Sequence, residues 1–224
     1  SKIEAYVDNV KQEPLIANMP KAGKILSEKD SKKFGYKELT LSNGARVLLK
    51  KTNLKEGEVL LNASSKGGAS LYGLKDRINT ELFDAVISYS GLGNFSSTEL
   101  QKVLAGKNAN VDLHLGKLHE YTSGNCTPKD METMFQMNYL YFTAIKKDEQ
   151  SVANVLNMYK NALKNKSLSP ESALQDSLTY TLHSHSPLYK SLEESDIDKV
   201  DYDRILQIAK ERTANAADFT FTIV

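Results

Sequence analysis

The chain has one cysteine, Cys126, so no internal disulfide can form. It has almost no net charge: 29 basic against 28 acidic side chains leave +1. That balance gives no electrostatic reason to expect nucleic acid or an anionic membrane as partner. No apolar run approaches the roughly 18–20 residues needed to span a bilayer, and no signal peptide is visible. Internal repeats and low-complexity tracts are also missing. What remains is ordinary globular composition, with 40% hydrophobic and 25% charged residues in 224. A chain of this size can bury a sizeable core without disulfides or metals. It opens at Ser1 and ends inside a β-like run, Phe219 to Val224, which reads as a fragment of a longer polypeptide.

Residues 1–34 are polar, carry Pro14 and Pro20, and show a short helical pattern only near Ile3 to Val10. They read as a connector, with order expected to begin at Tyr36. Tyr36–Leu41 and Ala45–Leu49 flank Ser42-Asn43-Gly44, a strong hairpin signal because Asn and Gly tolerate positive φ. A third strand is expected from Glu58 to Ser65, ending at Gly67-Gly68. From Leu74 the period becomes helical, with Leu74, Ile78, Leu82, Ala85, Val86 and Tyr89 on one face. Gly91 suits a left-handed helix terminus. Ser96 and Glu99 form an S-x-x-E capping box for a helix reaching about Ala105. A second hairpin, Asn110–Leu115 with Lys117–Ser123, turns at Gly116.

Thr127-Pro128-Lys129-Asp130 reads as another boxed helix start, opening a segment rich in methionine and aromatics from Met131 to Ile145. That face is either core or a groove for a hydrophobic partner. Further helices are expected over Glu149–Leu163, from Ser169-Pro170, and over Tyr202–Thr213 capped by Asp201, before the final strand. Strands at both ends with helices between predict an α+β fold, one antiparallel sheet with helices on one face.

Candidate chemistry is sparse. The zinc motif H-x-x-E-H, which sets two histidines on one helical turn beside a glutamate, is absent. The histidines are His114, His119, His183 and His185; the last two share a site only on a strand, and no Cys, Asp or Glu completes a set. Cys126 has His119 and Glu120 nearby in sequence, and a helix start beside it could lower its pKa. An autonomous hydrolase built on Cys126, or on His183 and His185, is one alternative. Gly91-Leu92-Gly93 follows a helix instead of a strand, which argues against a dinucleotide loop, and Gly106-Lys107 lacks the rest of a P-loop. Residue chemistry alone assigns no catalytic, cofactor-binding or metal-binding residue.

A series of segments nevertheless occurs in a telling order: PKAGKI at Pro20–Ile25, LTLSNGARVLLKKT at Leu39–Thr52, SSKGGASLY at Ser64–Tyr72 and GLGNFSSTEL at Gly91–Leu100. TPKDMETMFQMNYLYFTAIKKD at Thr127–Asp148 and YDRILQIAKERTANAADFTFTIV at Tyr202–Val224 follow. Together they resemble the pitrilysin/insulinase family of zinc metallopeptidases, and within it the first domain of the non-catalytic C-terminal half of a large bacterial member. The resemblance implies a metallopeptidase-like α+β domain at residues 35–224, preceded by an inter-half connector at 1–34. It implies that the first half carries the zinc and that this half helps enclose peptide. The counterpart of the zinc helix would be LKDRINTELFDAVISYS at Leu74–Ser90, which offers Asp76 and Glu81 but no histidine. The arginine and tyrosine that contact substrate in the family's last domain have no counterpart before Val224. Expected partners are sister domains, peptide and, for the isolated chain, itself. A stand-alone scaffold subunit is the other alternative. The compartment is open: periplasm or cell envelope if the parent carries a signal peptide.

Overall fold

The computed structural model describes residues 10–224. The helical pattern expected near Ile3 therefore lies mostly outside the described residues. In chain order the elements are β1 (Ile25–Ser31), β2 (Tyr36–Leu41), β3 (Arg46–Leu49) and β4 (Val59–Lys66). Then come α1 (Arg77–Glu81), α2 (Phe83–Ser88), β5 (Gly91–Leu92), α3 (Ser97–Val103), β6 (Ala109–Leu115) and β7 (His119–Cys126). The remainder is α4 (Met131–Thr143), β8 (Ile145–Lys146), α5 (Glu149–Lys166), α6 (Pro170–Leu182), α7 (Tyr202–Thr213) and β9 (Thr220–Ile223). Seven strands form the main sheet in the order β1-β2-β3-β9-β4-β7-β6; β5 and β8 pair separately.

The fold is the α+β layer that the sequence predicts. The sheet is mainly antiparallel, with one exception: β9 runs parallel to β3 and antiparallel to β4. In β6 the odd positions Ala109, Val111, Leu113 and Leu115 are buried while Asn110 and Asp112 are exposed, the alternation of a half-covered sheet. Onto the covered face pack Phe83, Val86 and Ile87 of α2, Met134, Met137 and Leu140 of α4, and Ile205, Ile208 and Ala209 of α7. The methionine-rich helix thus turns its face into the core.

Several expectations need correction. Order begins before Tyr36: Ile25–Ser31 pairs with β2, and Leu15 and Ile16 are already part of the core. The segment from Leu74 is not one helix. A short turn at Leu74–Asp76 leads into α1, and Leu82, at φ −98° and ψ 7°, separates α1 from α2. The bend lets adjacent Leu82 and Phe83 both reach the core, while Leu74 and Tyr89 stay exposed. Gly91 has no positive φ and lies in β5; Gly93, at φ 58°, takes the left-handed conformation. Gly91 is required instead by close approach, since a Cβ there would run into the Phe95 carbonyl. Thr127 does not form the expected box. Its hydroxyl donates to Asp130, whose carboxylate also accepts the Asn108 N–H across the chain.

Other local signals are realised as read. Ser96 Oγ accepts the Glu99 N–H at 3.2 Å and Glu99 accepts the Ser96 N–H at 2.8 Å, a complete capping box. Asp201 accepts the Arg204 N–H at 3.0 Å and caps α7. Gly44 turns the β2–β3 hairpin at φ 84°.

Candidate functional site

The polar centre of the molecule gathers where β4 and β7 meet the C-terminal helix α7. β4 ends at Lys66, and the chain turns through Gly67 and Gly68, both at positive φ. Gly67 sits at φ 142°, a conformation that side-chain-bearing residues rarely adopt, and its missing Cβ leaves room for Leu71 Cδ1 and Arg212 Nη1. The Gly68 N–H donates to Glu120 Oε2 at 2.7 Å. Glu120 is 2% exposed, and its other oxygen sits 3.8 Å from Arg212 Nη1. A carboxylate so deeply buried is tolerated because both oxygens face donors.

The turn then delivers Tyr72 and Asp76 to α7. Asp76 stands at the start of α1 without capping it; its carboxylate instead accepts two parallel bonds from Arg204, Nε and Nη2 each at 3.0 Å. Arg204 Nη1 continues to Glu211 at 3.1 Å, and the Tyr72 hydroxyl donates to the other oxygen of Glu211 at 2.9 Å. Arg204 and Glu211 share a helix face two turns apart, which allows one guanidinium to serve both carboxylates. The hydrogen bonds from Arg204 hold the Asp76 carboxyl below its usual range against the effect of burial. Burial pushes Glu211 up, but the bonds from Tyr72 and Arg204 outweigh it and the net direction is down. The Tyr72 hydroxyl is pushed up to about 12, by burial first and by Glu211 second.

Beside this network opens a pocket of about 490 Å³, lined by Ser64, Lys66, Glu120, Glu211, Arg212 and Thr220 among others. Among the described residues, no three His, Cys, Asp or Glu side chains lie close enough together to hold a metal ion. The ensemble binds charge; it supplies no nucleophile with a free base.

The other candidates are scattered. His183 and His185 lie at the exposed end of α6, where Ser184 and His185 adopt positive φ. His183 stacks on Tyr189 at 3.7 Å, whereas His185 meets Tyr180 edge-on, so they face different partners. Cys126 and His119 occupy opposite ends of β7, about 23 Å apart at strand rise. Cys126 is 2% exposed, and burial pushes its thiol up, with Asp130 adding to the shift. The expectation of a thiol activated by the helix start is therefore corrected: burial and the neighbouring Asp130 carboxylate both act to raise it. The glycine loop presents the Asn94 carbonyl to Lys11 and Lys146, at 2.7 and 2.8 Å, the wrong polarity for a phosphate cradle.

One constellation was not legible in the sequence. His114 Nδ1 lies 2.9 Å from Asp84 and its Nε2 lies 3.3 Å from Ser123 Oγ. Asp84 also accepts the Leu115 N–H, fastening α2 to edge strand β6. Asp112 lies opposite Ser123 in the β6–β7 register, where its charge opposes any developing oxyanion. We read the trio as an edge clamp.

No protein-family model matches the chain. Two curated relatives do. It is 22% identical over 218 residues to a zinc protease PQQL-like protein of Arabidopsis thaliana, covering 97% of this chain and 20% of the relative. It is 25% identical over 199 residues to the probable zinc protease PqqL of Escherichia coli K12, covering 89% and 21%. The chain thus spans about a fifth of the relatives it matches. Among solved structures, the periplasmic protease PqqL from Escherichia coli superposes with TM-score 0.79 at 24% identity, over all of this chain and 24% of that one. The ferredoxin protease FusC, solved with Arabidopsis ferredoxin, gives 0.74 at 16% identity over 98% and 24%. The chain resembles the zinc peptidases of the pitrilysin/insulinase family over nearly its whole length, in sequence order and in fold.

Proposed function

We propose that this chain is a non-catalytic domain of a zinc metallopeptidase, one wall of the chamber in which the parent protein holds and cleaves peptide. The observation that carries the reading is the Asp76–Arg204 pair. In the catalytic domain of such peptidases the zinc helix follows the third strand of the sheet; here the counterpart begins at Leu74 after β4, and Asp76 stands immediately before α1. Both Asp76 oxygens are taken by Arg204, and the nearby Glu81 pairs with Arg77 at 3.2 Å. The paired bonds from Arg204 occupy both Asp76 oxygens, and no histidine stands on α1 or α2 to join Glu81 in a donor set. The residues present do not fit zinc, so hydrolysis belongs to another part of the parent.

On this reading residues 1–34 are the connector between halves and 35–224 the domain proper, with the connector's Leu15, Ile16 and β1 seated on that domain. The neighbours are sister domains of the same polypeptide. Leu174, Leu178 and Leu182 form an exposed apolar row along α6, a face available to such a domain or to self-association of the isolated chain. None of the described helices is long and apolar enough to cross a membrane.

The test is elemental analysis and peptide hydrolysis on the purified chain after zinc loading and desalting. Well under 0.1 zinc per chain is the expected order of magnitude, because closed ion pairs leave no donor set, with no cleavage of unstructured peptides. One zinc per chain would overturn the proposal.

A further inference from the structure

We propose that α6 is a dimerisation helix, whose leucine row takes the α6 of a second copy of this chain, antiparallel, with Leu178 at the two-fold axis. The inference goes beyond the chamber reading and does not depend on it, since it involves neither peptide nor zinc.

The helix is turned inside out. At about 3.6 residues per turn, Ser172, Asp176, Thr179 and Tyr180 fall on one side of α6, and Leu174, Leu178 and Leu182 on the other. The first side is the half-buried one, and on it Asp176 accepts from Lys166 Nζ of α5 at 2.8 Å. That mostly polar side therefore faces the body of the chain. The leucines point away from it and are 70%, 48% and 72% exposed. A surface helix ordinarily does the reverse and buries its apolar stripe. No residue of α6 is buried, so the row adds nothing to this chain's own core, and a partner covering it would recover the apolar burial that the fold leaves unused.

The pattern of the row selects the occupant. Leucines at every fourth position form a ridge that fits the groove of an identical helix. A two-fold contact demands a patch complementary to itself, and α6 meets that demand in three ways. Leu174 and Leu182 flank Leu178 at equal spacing, so antiparallel pairing on Leu178 sets Leu174 of one copy against Leu182 of the other. α6 carries no Lys or Arg, so no cations are forced together. Glu171 lies in line with the row at its N-terminal end, and His183 and His185 follow its C-terminal end. Antiparallel pairing brings these unlike ends, and opposed helix dipoles, together. Leu168 and Leu188, 79% and 54% exposed, continue the apolar surface past the two ends of the helix. One helix covers less than the roughly 800 Å² per partner of a standard stable interface, so the dimer is weak, with a dissociation constant on the order of 100 µM.

The experiment is sedimentation equilibrium on the whole chain, from about tenfold below that concentration to about tenfold above it. A reversible monomer–dimer equilibrium is expected. Leu178→Asp sets two carboxylates against each other at the axis and is expected to weaken the dimer at least about a hundredfold. Leu54→Asp changes a leucine that is 92% exposed in the loop between β3 and β4, and is expected to leave the dimer as it was. Equal urea midpoints of the two variants show that neither effect comes from unfolding. Under mild oxidation Leu178→Cys is expected to cross-link to its own copy, and Leu174→Cys to do so mainly when mixed with Leu182→Cys. A chain that stays monomeric throughout the range, its leucine row left for another domain of the polypeptide, would overturn the proposal. So would a dimer that Leu178→Asp leaves intact, or one in which Leu174→Cys prefers its own copy, as a parallel pair requires. None of these readouts involves hydrolysis, so the failure of this proposal and that of the chamber reading are separable.

Discussion

Arg204→Met lowers the unfolding free energy by about 3 kcal/mol, the usual cost of leaving one member of a buried ion pair without its partner. Asp76 is only 6% exposed on its side chain and both its oxygens are satisfied by the one guanidinium. Removing Arg204 therefore strands a charge that water cannot reach, and deprives Glu211 of a partner as well. The double variant Arg204→Met with Asp76→Leu is expected to recover most of the loss, because an apolar pair of similar size avoids the desolvation that the ions incur. Urea titration of the four members of the cycle checks both statements.

The same pair sets a pH dependence with a definite sign. Asp76 titrates below its ordinary 3.8 in the folded chain. Its contribution is therefore fully present above that value and is lost as pH falls through the lower folded-state value. Stability of the parent chain should fall on acidification, and the acid limb should be shallower in Arg204→Met. An acid limb of equal slope in both proteins would remove Asp76 as its source.

The second large effect is at Phe95. Phe95→Ala should cost about 4 kcal/mol, within the range for emptying a phenylalanine site in a core. The ring is fully buried, and the loop that holds it is closed by reciprocal backbone bonds between Leu92 and Phe95. Lys11 Nζ lies 5.2 Å from the ring centroid, so the connector also presses on this residue. Phe95→Leu should cost less, about 1 kcal/mol, because most of the volume is kept. A loss below 1 kcal/mol for the alanine variant would mean that the loop collapses into the space left by the ring.

That loop shows how far the sequence could be read. Gly91 to Leu100 announced a turn and a helix start, and the Ser96–Glu99 box forms in full because every group in it lies within four residues. The hairpin at Asn43-Gly44 and the Asp201 cap were legible for the same reason. β1 was not, since ILSEKDS is polar and mostly exposed and carries no alternation against a core. The parallel β3–β9 pairing joins the two ends of the domain, and no local pattern encodes which strand a distant one will choose. The site was the least legible part. Asp76 and Arg204 stand 128 residues apart, and nothing in either neighbourhood points to the other. The ordered motifs carried the family resemblance, while the charge pair at the start of α1 emerged only in three dimensions.

The central claim is that this chain builds a chamber and another part of the parent cuts. On the proposed reading the parent's other half carries the zinc motif, and the most direct measurement is peptide hydrolysis by this chain alone, by that proposed half alone, and by the two mixed. The account predicts no cleavage by this chain and a rate on mixing well above that of the zinc half. Cleavage by this chain alone, or a zinc half whose rate is unchanged on mixing, would contradict it.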